Sequence, residues 1–97
     1  MNTFEGKRGI VFGIANKYSI AWAITQHLLD QGATIAAGVL SEREARKLEG
    51  LLESRQSILP IVCDLSADEQ IEACFAEVAK RFDGRLDFLV HSVAFAR

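Results

Sequence analysis

The chain has 97 residues, of which 49% are hydrophobic and 25% charged, and its formal net charge is −2 at pH 7. This composition excludes a disordered segment, and the charge balance gives no basic signature for binding nucleic acid or an anionic membrane. Two cysteines are too few for a disulfide framework, and neither a membrane-spanning apolar run nor a signal-peptide pattern occurs. We therefore expect a cytoplasmic globular protein with reduced thiols.

The first half of the sequence alternates between short apolar runs and helical periodicity. Residues 9–12 predict a buried strand that ends at Gly13. From Ser19 onward, apolar residues at three- and four-residue steps predict an amphipathic helix that ends before Gly32. The expected buried face of this helix comprises Ile20, Ala23, Ile24, His27 and Leu28. Thr34–Val39 then predicts a second strand.

The second half continues the alternation, and two Ser-x-x-Glu patterns predict where its helices begin. In such a capping box the serine and the glutamate satisfy each other's free backbone amides. The patterns start at Ser41 and Ser66. Between them, residues 57–63 predict a third strand, and Pro60 favours a place near the sheet edge. The last helix presents an apolar face of Ile71, Phe75, Val78, Ala79 and Phe82.

A fourth strand is predicted over residues 86–90, which completes the order β-α-β-α-β-α-β. The connections are short, and the strands are nearly continuous apolar runs rather than alternating ones. These features indicate an α/β fold in which helices cover both faces of a doubly wound parallel sheet. In such folds, ligands bind beyond the carboxyl ends of the strands.

The turn after the first strand, residues 13–20, is the first candidate ligand site. It lacks the common G-x-G-x-x-G pattern, so an ordinary tight turn is an equal alternative. Gly13 permits a close backbone approach, and the helix that starts near Ser19 presents free amides and a positive dipole end to an anion. Ser19 is expected to cap this helix, to donate its hydroxyl to a phosphate, or both.

Three segments resemble the bacterial enoyl-acyl-carrier-protein reductases, divergent members of the short-chain dehydrogenase/reductase superfamily. The loop G-I-A-N-K-Y-S-I-A-W at residues 13–22 resembles their stretched glycine loop, in which a Ser-Ile pair replaces the later glycines. The segments V-C-D-L at 62–65 and L-D-F-L-V-H-S-V-A-F-A at 86–96 agree in order and spacing. The resemblance covers essentially the whole chain and implies a Rossmann-type fold with strand order 3-2-1-4.

The resemblance also implies a set of residues that bind NADH. The pyrophosphate and its ribose would lie against Gly13, Ala15, Ser19 and Ile20. The adenine would lie against Asp64 and Leu65, and the nicotinamide-side ribose would lie beside Ser92, Val93 and Ala94. Each role has an alternative. Asp64 could stabilise the loop that follows it without binding a cofactor, and Ser92 could be a turn residue. No metal site is expected.

The catalytic residues of the family are not found in this sequence. Those reductases use a tyrosine, a second tyrosine seven residues later, and a lysine four residues beyond that. The only tyrosine here is Tyr18, inside the glycine loop, and no lysine stands in the required relation to it. We therefore expect residues 1–97 to be the N-terminal, cofactor-binding portion of a larger domain, inactive alone and without a catalytic residue.

The preference for NADH over NADPH follows from the resemblance and not from a residue at the end of the second strand. A carboxylate at the end of the second strand would favour NADH by accepting a bond from the ribose 2′-hydroxyl, but Leu40 occupies that place. Two alternatives to the reductase stay open: part of a different short-chain reductase, or a truncated or designed half-fold without catalysis. With order 3-2-1-4, the fourth strand would lie at an exposed edge, which predicts self-association into a homo-oligomer.

Overall fold

The computed structural model describes residues 3–14, 19–52 and 58–92, and these form a parallel sheet with helices on both faces. Within this part of the chain the elements are β1 (Arg8–Phe12), α1 (Ile20–Asp30), β2 (Thr34–Val39), α2 (Glu42–Leu52), β3 (Ile58–Val62), α3 (Asp68–Arg81) and β4 (Phe88–His91). The strand order is β3-β2-β1-β4, and every pairing is parallel. The predicted fold class and strand order are confirmed.

The strands agree closely with the sequence prediction, with one displacement. β2 matches its predicted bounds, and β3 falls within the predicted range and forms an edge of the sheet, as Pro60 indicated. β4 begins at Phe88, because the preceding residue, Asp87, is engaged by its side chain. Arg8 N donates to Asp87 Oδ2 at 2.7 Å, and Asp87 N donates to Arg8 O at 2.6 Å. These two hydrogen bonds join the end of the α3–β4 connection to β1, and strand pairing begins at the next residue, Phe88.

Alternating residues of the strands supply two hydrophobic clusters, one on each face of the sheet. The α1–α2 cluster contains Val11, Trp22, Leu28, Ile35, Ala37, Val39, Leu48 and Ile58, among others. The α3 cluster contains Ile10, Phe12, Ala36, Ile61, Cys63, Cys74, Val78 and Phe82. Because both faces are covered in the centre, β1 and β2 can be apolar throughout, which is the pattern that predicted a parallel sheet.

The predicted buried face of α1 is correct at Leu28 and wrong at its other four residues. Its buried residues are Ala21, Trp22, Thr25 and Leu28, whereas Ile20 is 73% exposed. Ala23, Ile24 and His27 are exposed as well. Trp22 offers more apolar surface than either isoleucine, and the Thr25 hydroxyl donates to Ala21 O at 2.7 Å, so a polar residue is buried without loss of a hydrogen bond. This hydrogen bond within the helix cannot be predicted from the pattern of hydrophobic residues alone.

The two predicted capping boxes have different outcomes. Ser41 Oγ accepts from Glu44 N at 3.4 Å, as expected at the start of α2. The prediction for Ser66 is wrong, because α3 begins one residue later and its N-cap, Ala67, makes no side-chain capping bond. Ser66 donates its hydroxyl to a neighbouring carboxylate instead. The face of α3 also differs, since Cys74 is buried and Ala79 is exposed.

The two cysteines, Cys63 on the strand side and Cys74 on α3, are both free and buried in the α3 cluster. Burial raises the pKa of Cys74 to about 12, and the adjacent Cys63 thiol adds to this effect. A thiol of this kind is a packing group rather than a nucleophile at neutral pH. None of the described helices combines the length and apolarity that a bilayer crossing requires.

Candidate functional site

The candidate site is the edge of the sheet at which the parallel strands end, called here the carboxyl edge. β1, β3 and β4 all point to this edge, and α1 begins there after the turn that follows β1. Six of the predicted site residues therefore lie at this edge of the sheet: Gly13, Ser19, Ile20, Asp64, Leu65 and Ser92. The other three, Ala15, Val93 and Ala94, lie outside the described residues.

Gly13 marks the closest approach between the ends of β1 and β4. Its φ is +107°, in the region that favours glycine. A Cβ atom at this position would lie 2.3 Å from Ser92 O and 2.7 Å from Ser92 C. Ser92 N also donates to Phe12 O at 3.0 Å, so the two chain segments are joined immediately before the turn. Gly13 thus allows the segment after β4 to lie against the first turn.

The N-terminus of α1 opens onto the same edge. Ser19 is the N-cap residue, with extended backbone (φ −70°, ψ 148°), and its Oγ accepts from Trp22 N at 3.1 Å. The capping role expected of Ser19 is confirmed, while phosphate binding stays a prediction. No acidic side chain occurs in the first turn of α1, so nothing there competes with an external anion for the helix dipole.

Asp64 follows β3 and stabilises the turn that leads into α3. Its Oδ1 accepts from Ser66 N at 2.9 Å and from Ser66 Oγ at 2.6 Å. These two bonds lower the pKa of the Asp64 carboxyl below its ordinary value of 3.8. The alternative that Asp64 stabilises its own loop is therefore confirmed for one carboxylate oxygen. Within the described part of the chain, Oδ2 has no hydrogen-bond donor and is available to a ligand.

Two residues that hold this loop, one in the loop and one in α3, escape prediction from the sequence as site components. Ser66 was assigned to a capping box, although an aspartate two residues before a serine is also the pattern of a side-chain-closed turn. Gln70 carries no sequence signal at all. In the structure its Oε1 accepts from Asp64 N at 2.8 Å, and its backbone oxygen faces Cys63 Sγ at 3.7 Å. Gln70 thus links α3 to Cys63 and Asp64, the first two residues after β3.

The position directly after β2 carries no carboxylate that would accept a bond from a ribose hydroxyl. Leu40 is 62% exposed there, and the hydroxyl of Ser41 is engaged in capping α2. The first turn of α2 carries Glu42 and Glu44, with Arg43 exposed between them. The carboxyl edge is therefore apolar and acidic beyond β2, whereas it presents helix amides beyond β1.

Both histidines are exposed, although His27 was expected on the buried face of α1. His27 is exposed in the last turn of α1, and His91 is exposed at the end of β4, with its ring 6.5 Å from that of Phe12. His27 is exposed because α1 buries a different face from the predicted one, and His91 is exposed because β4 lies at the edge of the sheet. Across the described ranges no group of three or more His, Cys, Asp and Glu side chains could hold a metal ion.

Comparison with known protein families places this geometry in context. A family model described as "Enoyl-(Acyl carrier protein) reductase" matches residues 13–97. The chain is 38% identical to the Bacillus cereus protein named enoyl-[acyl-carrier-protein] reductase [NADH] FabI, covering 99% of this chain and 38% of that relative. With the Bacillus subtilis protein of the same name it shares 37% identity, over 97% of this chain and 37% of the relative. The chain thus spans less than two fifths of the length of these relatives.

Solved structures of the same kind superpose on almost the entire chain. The enoyl-(acyl-carrier-protein) reductase of Anaplasma phagocytophilum, solved in complex with NAD, is 39% identical with a TM-score of 0.90. That match covers 97% of this chain and 36% of the other. The Bacillus cereus enzyme, solved with NADP+ and indole naphthyridinone, is 34% identical with a TM-score of 0.90, covering 99% and 38%.

Proposed function

This chain belongs to the enoyl-(acyl carrier protein) reductase family, and from that membership we propose that residues 1–97 form the N-terminal, NADH-binding part of a Rossmann domain. The whole enzyme would reduce trans-2-enoyl thioesters carried on acyl carrier protein, in fatty-acid biosynthesis. Neither nucleic acid nor a membrane is a proposed partner. The residues of this chain bind and orient the cofactor, and none of them is proposed as catalytic.

The observation that carries this proposal is the convergence of three chain segments at the carboxyl edge. The turn after β1, the loop after β3 and the segment after β4 are distant in sequence, yet all three begin at the sheet edge where α1 also begins. The Gly13–Ser92 approach brings two of these segments into direct contact. Ligands of doubly wound folds bind at such an edge, and a helix N-terminus there suits the pyrophosphate of a dinucleotide.

Each part of the edge offers a different kind of contact. The amides at Ser19 and Ile20, next to Gly13 and Ala15, would bind the pyrophosphate and its ribose. Asp64 would accept from the adenine amine beside the amide of Leu65. The segment Ser92, Val93 and Ala94 would line the nicotinamide-side ribose. When bound, NADH supplies the hydride that reduces the β-carbon of the enoyl substrate.

The charge distribution around β2 supports NADH rather than NADPH. A 2′-phosphate would face Leu40 and the acidic first turn of α2, where Glu42 and Glu44 oppose a second anion. The curated relatives described above carry NADH in their names. Arg43, which is exposed between the two glutamates, is the group that could weaken this preference.

Titration of the chain with NADH, followed by nicotinamide fluorescence, tests the proposal, and two substitutions at Ser19 test the site. Ser19→Asp and Ser19→Asn both retain a good N-cap, so α1 remains stable in each. Only Ser19→Asp places a negative charge beside the proposed pyrophosphate. We expect Ser19→Asp to weaken NADH binding about tenfold or more, as like charges at close range predict, and Ser19→Asn to change it less than about threefold.

Three results would contradict this proposal in different ways. Absence of saturable binding at millimolar NADH would favour a half-fold that does not bind a dinucleotide. Equal binding by Ser19→Asp and Ser19→Asn would remove the pyrophosphate from the N-terminus of α1. Tighter binding of NADPH than of NADH would favour a different short-chain reductase.

We also propose that the 97-residue chain self-associates through β4. This strand is an edge of the sheet, and Leu89 within it is 47% exposed. An open strand with apolar side chains is a template for pairing with a second strand. Sedimentation equilibrium should show a dimer or larger species at micromolar to millimolar chain, and a monomer throughout that range would contradict the proposal.

A further inference from the structure

We propose that Gln70 is a positioning residue that orients Asp64 and Leu65 toward an adenine ring, and that it thereby sets the selectivity for adenine over other purines. The inference rests on the proposed dinucleotide function and adds a residue of α3 to it. Gln70 would not touch the nucleotide. It would act through the loop after β3, residues 63–67, called here the adenine loop.

The adenine loop is connected to Gln70 at three points. Gln70 Oε1 accepts from Asp64 N at 2.8 Å, and Gln70 O lies 3.7 Å from the thiol of Cys63, which donates to it. Gln70 N in turn donates to Ala67 O at 3.0 Å. Since Cys63 is buried and Cys63 N donates to Val39 O at 2.6 Å, the loop is anchored to the sheet on one side and to α3 on the other.

These bonds decide which groups of the loop remain for a ligand. The Asp64 amide is occupied by Gln70, and Asp64 Oδ1 is occupied by both donors of Ser66. Asp64 O accepts from Ala67 N at 3.0 Å. Among the described residues, Asp64 Oδ2 has no donor and the Leu65 amide has no acceptor. Asp64 and Leu65 therefore offer a ligand one side-chain acceptor and one backbone donor on consecutive residues.

An adjacent acceptor and donor match one edge of adenine. Adenine donates from its exocyclic amine and accepts at the neighbouring ring nitrogen, whereas hypoxanthine presents an oxygen and a ring N–H at the same places. Hypoxanthine would set its oxygen against a carboxylate whose pKa is lowered and which is therefore ionised at neutral pH. A mismatched polar pair costs binding energy because both groups lose water without gaining a partner.

The role of Gln70 can be separated from a purely structural one by comparing two cofactors. Gln70→Met keeps the length and neutrality of the side chain but removes the acceptor of the Asp64 amide. We measure the dissociation constants of NADH and of its hypoxanthine analogue by nicotinamide fluorescence for the wild-type chain, Gln70→Met and Gln70→Glu. Gln26→Met, the same chemical change at a half-buried position of α1, is the matched control.

For the wild-type chain we expect NADH to bind about tenfold more tightly than the hypoxanthine analogue, as one mismatched polar pair predicts. Gln70→Met should reduce this ratio to about threefold or less, mainly by weakening NADH. Gln70→Glu, which retains an acceptor oxygen, and Gln26→Met should keep the wild-type ratio. Amide exchange at Asp64 should be faster in Gln70→Met alone.

Each contrary outcome has a distinct meaning. If the wild-type chain binds neither cofactor, the proposed function fails and Gln70 loses this role with it. If NADH binds but Gln70→Met preserves the wild-type ratio, the role of Gln70 is wrong and the proposed function stands. A parallel loss of both affinities in Gln70→Met, with an unchanged ratio, would show that Gln70 contributes only to the stability of the loop.

Discussion

The two edges of the sheet differ in how they are protected. β3 carries Pro60 at its centre, and a proline has no N–H to offer to another strand. Its buried residues also contribute to both hydrophobic clusters, through Ile58 on one face and Ile61 on the other. β4 has no proline, and Leu89 is 47% exposed on it.

β4 is less buried than β3, with only Phe88 and Val90 packed against the α1–α2 cluster, and hydrogen bonds hold both of its ends. At its start, Asp87 and Arg8 exchange two hydrogen bonds, and Arg85 Nε donates to Asp87 Oδ1 at 3.1 Å. At its finish, Ser92 donates to Phe12 O and lies against Gly13. The strand that borders the proposed cofactor site is thus an open edge that is fastened at both ends.

The largest effect on stability is expected at Gly13, where the backbone lies close to Ser92 at the end of β4. Gly13→Ala would place a Cβ against the Ser92 backbone in a left-handed conformation, so we expect the free energy of unfolding to fall by about 3 kcal/mol or more. Gly84→Ala is the matched control, since Gly84 also has a positive φ (+78°) but open space around it. It should cost about 1 kcal/mol.

Chemical denaturation of the two glycine variants and the wild-type chain measures this difference. Similar losses in Gly13→Ala and Gly84→Ala would mean that backbone conformation, and not the contact with Ser92, makes Gly13 necessary. In that case the contact between Gly13 and Ser92 would contribute less to the stability of β4 than the structure indicates.

An intermediate effect is expected when a charged side chain is placed on the open edge. Leu89→Lys places a charge on β4, so we expect the dissociation constant of the self-associated chain to increase about tenfold or more, as loss of one buried leucine predicts. Val62→Lys, at a comparably exposed position of β3, should leave it nearly unchanged. Sedimentation equilibrium measures both, and equal effects would place the contact elsewhere.

The smallest effect is expected from acid at the start of β4. The hydrogen bond from the Arg8 amide, aided by Arg85, lowers the pKa of the Asp87 carboxyl below its ordinary value of 3.8. A carboxyl of this kind stabilises the fold above its unfolded pKa, and the contribution is lost as the pH falls through the lower folded pKa. We therefore expect the melting temperature of Asp87→Asn to depend less steeply on pH than that of the wild-type chain, below about pH 4.

Thermal denaturation followed by circular dichroism between pH 6 and pH 2.5 measures this slope. Glu72→Gln, at an exposed position of α3, provides a carboxylate-to-amide control on the same chain. Equal slopes for Asp87→Asn and the wild-type chain would show that the bond between Asp87 and the Arg8 amide does not depend on the carboxylate charge.

Much of the fold could be predicted because its determinants are local. Apolar runs in the first three strands, the glycine after α1 and the serine before α2 each act within a few residues, and the structure agrees with them. The family could be predicted for the same reason, since three short segments carry it. The predicted start of α3 was wrong because two local interactions compete for Ser66, helix capping and the hydrogen bonds to Asp64.

The sequence by itself determined the order of the elements, the parallel sheet and the residues that follow its strands. Only the tertiary structure decided which face of α1 is buried and which partners hold Asp64. Burial of α1 depends on Trp22 and on the bond that satisfies Thr25, and the adenine loop depends on Gln70, six residues away. Such choices rest on three-dimensional packing and on hydrogen-bond partners, which a pattern of hydrophobicity does not contain.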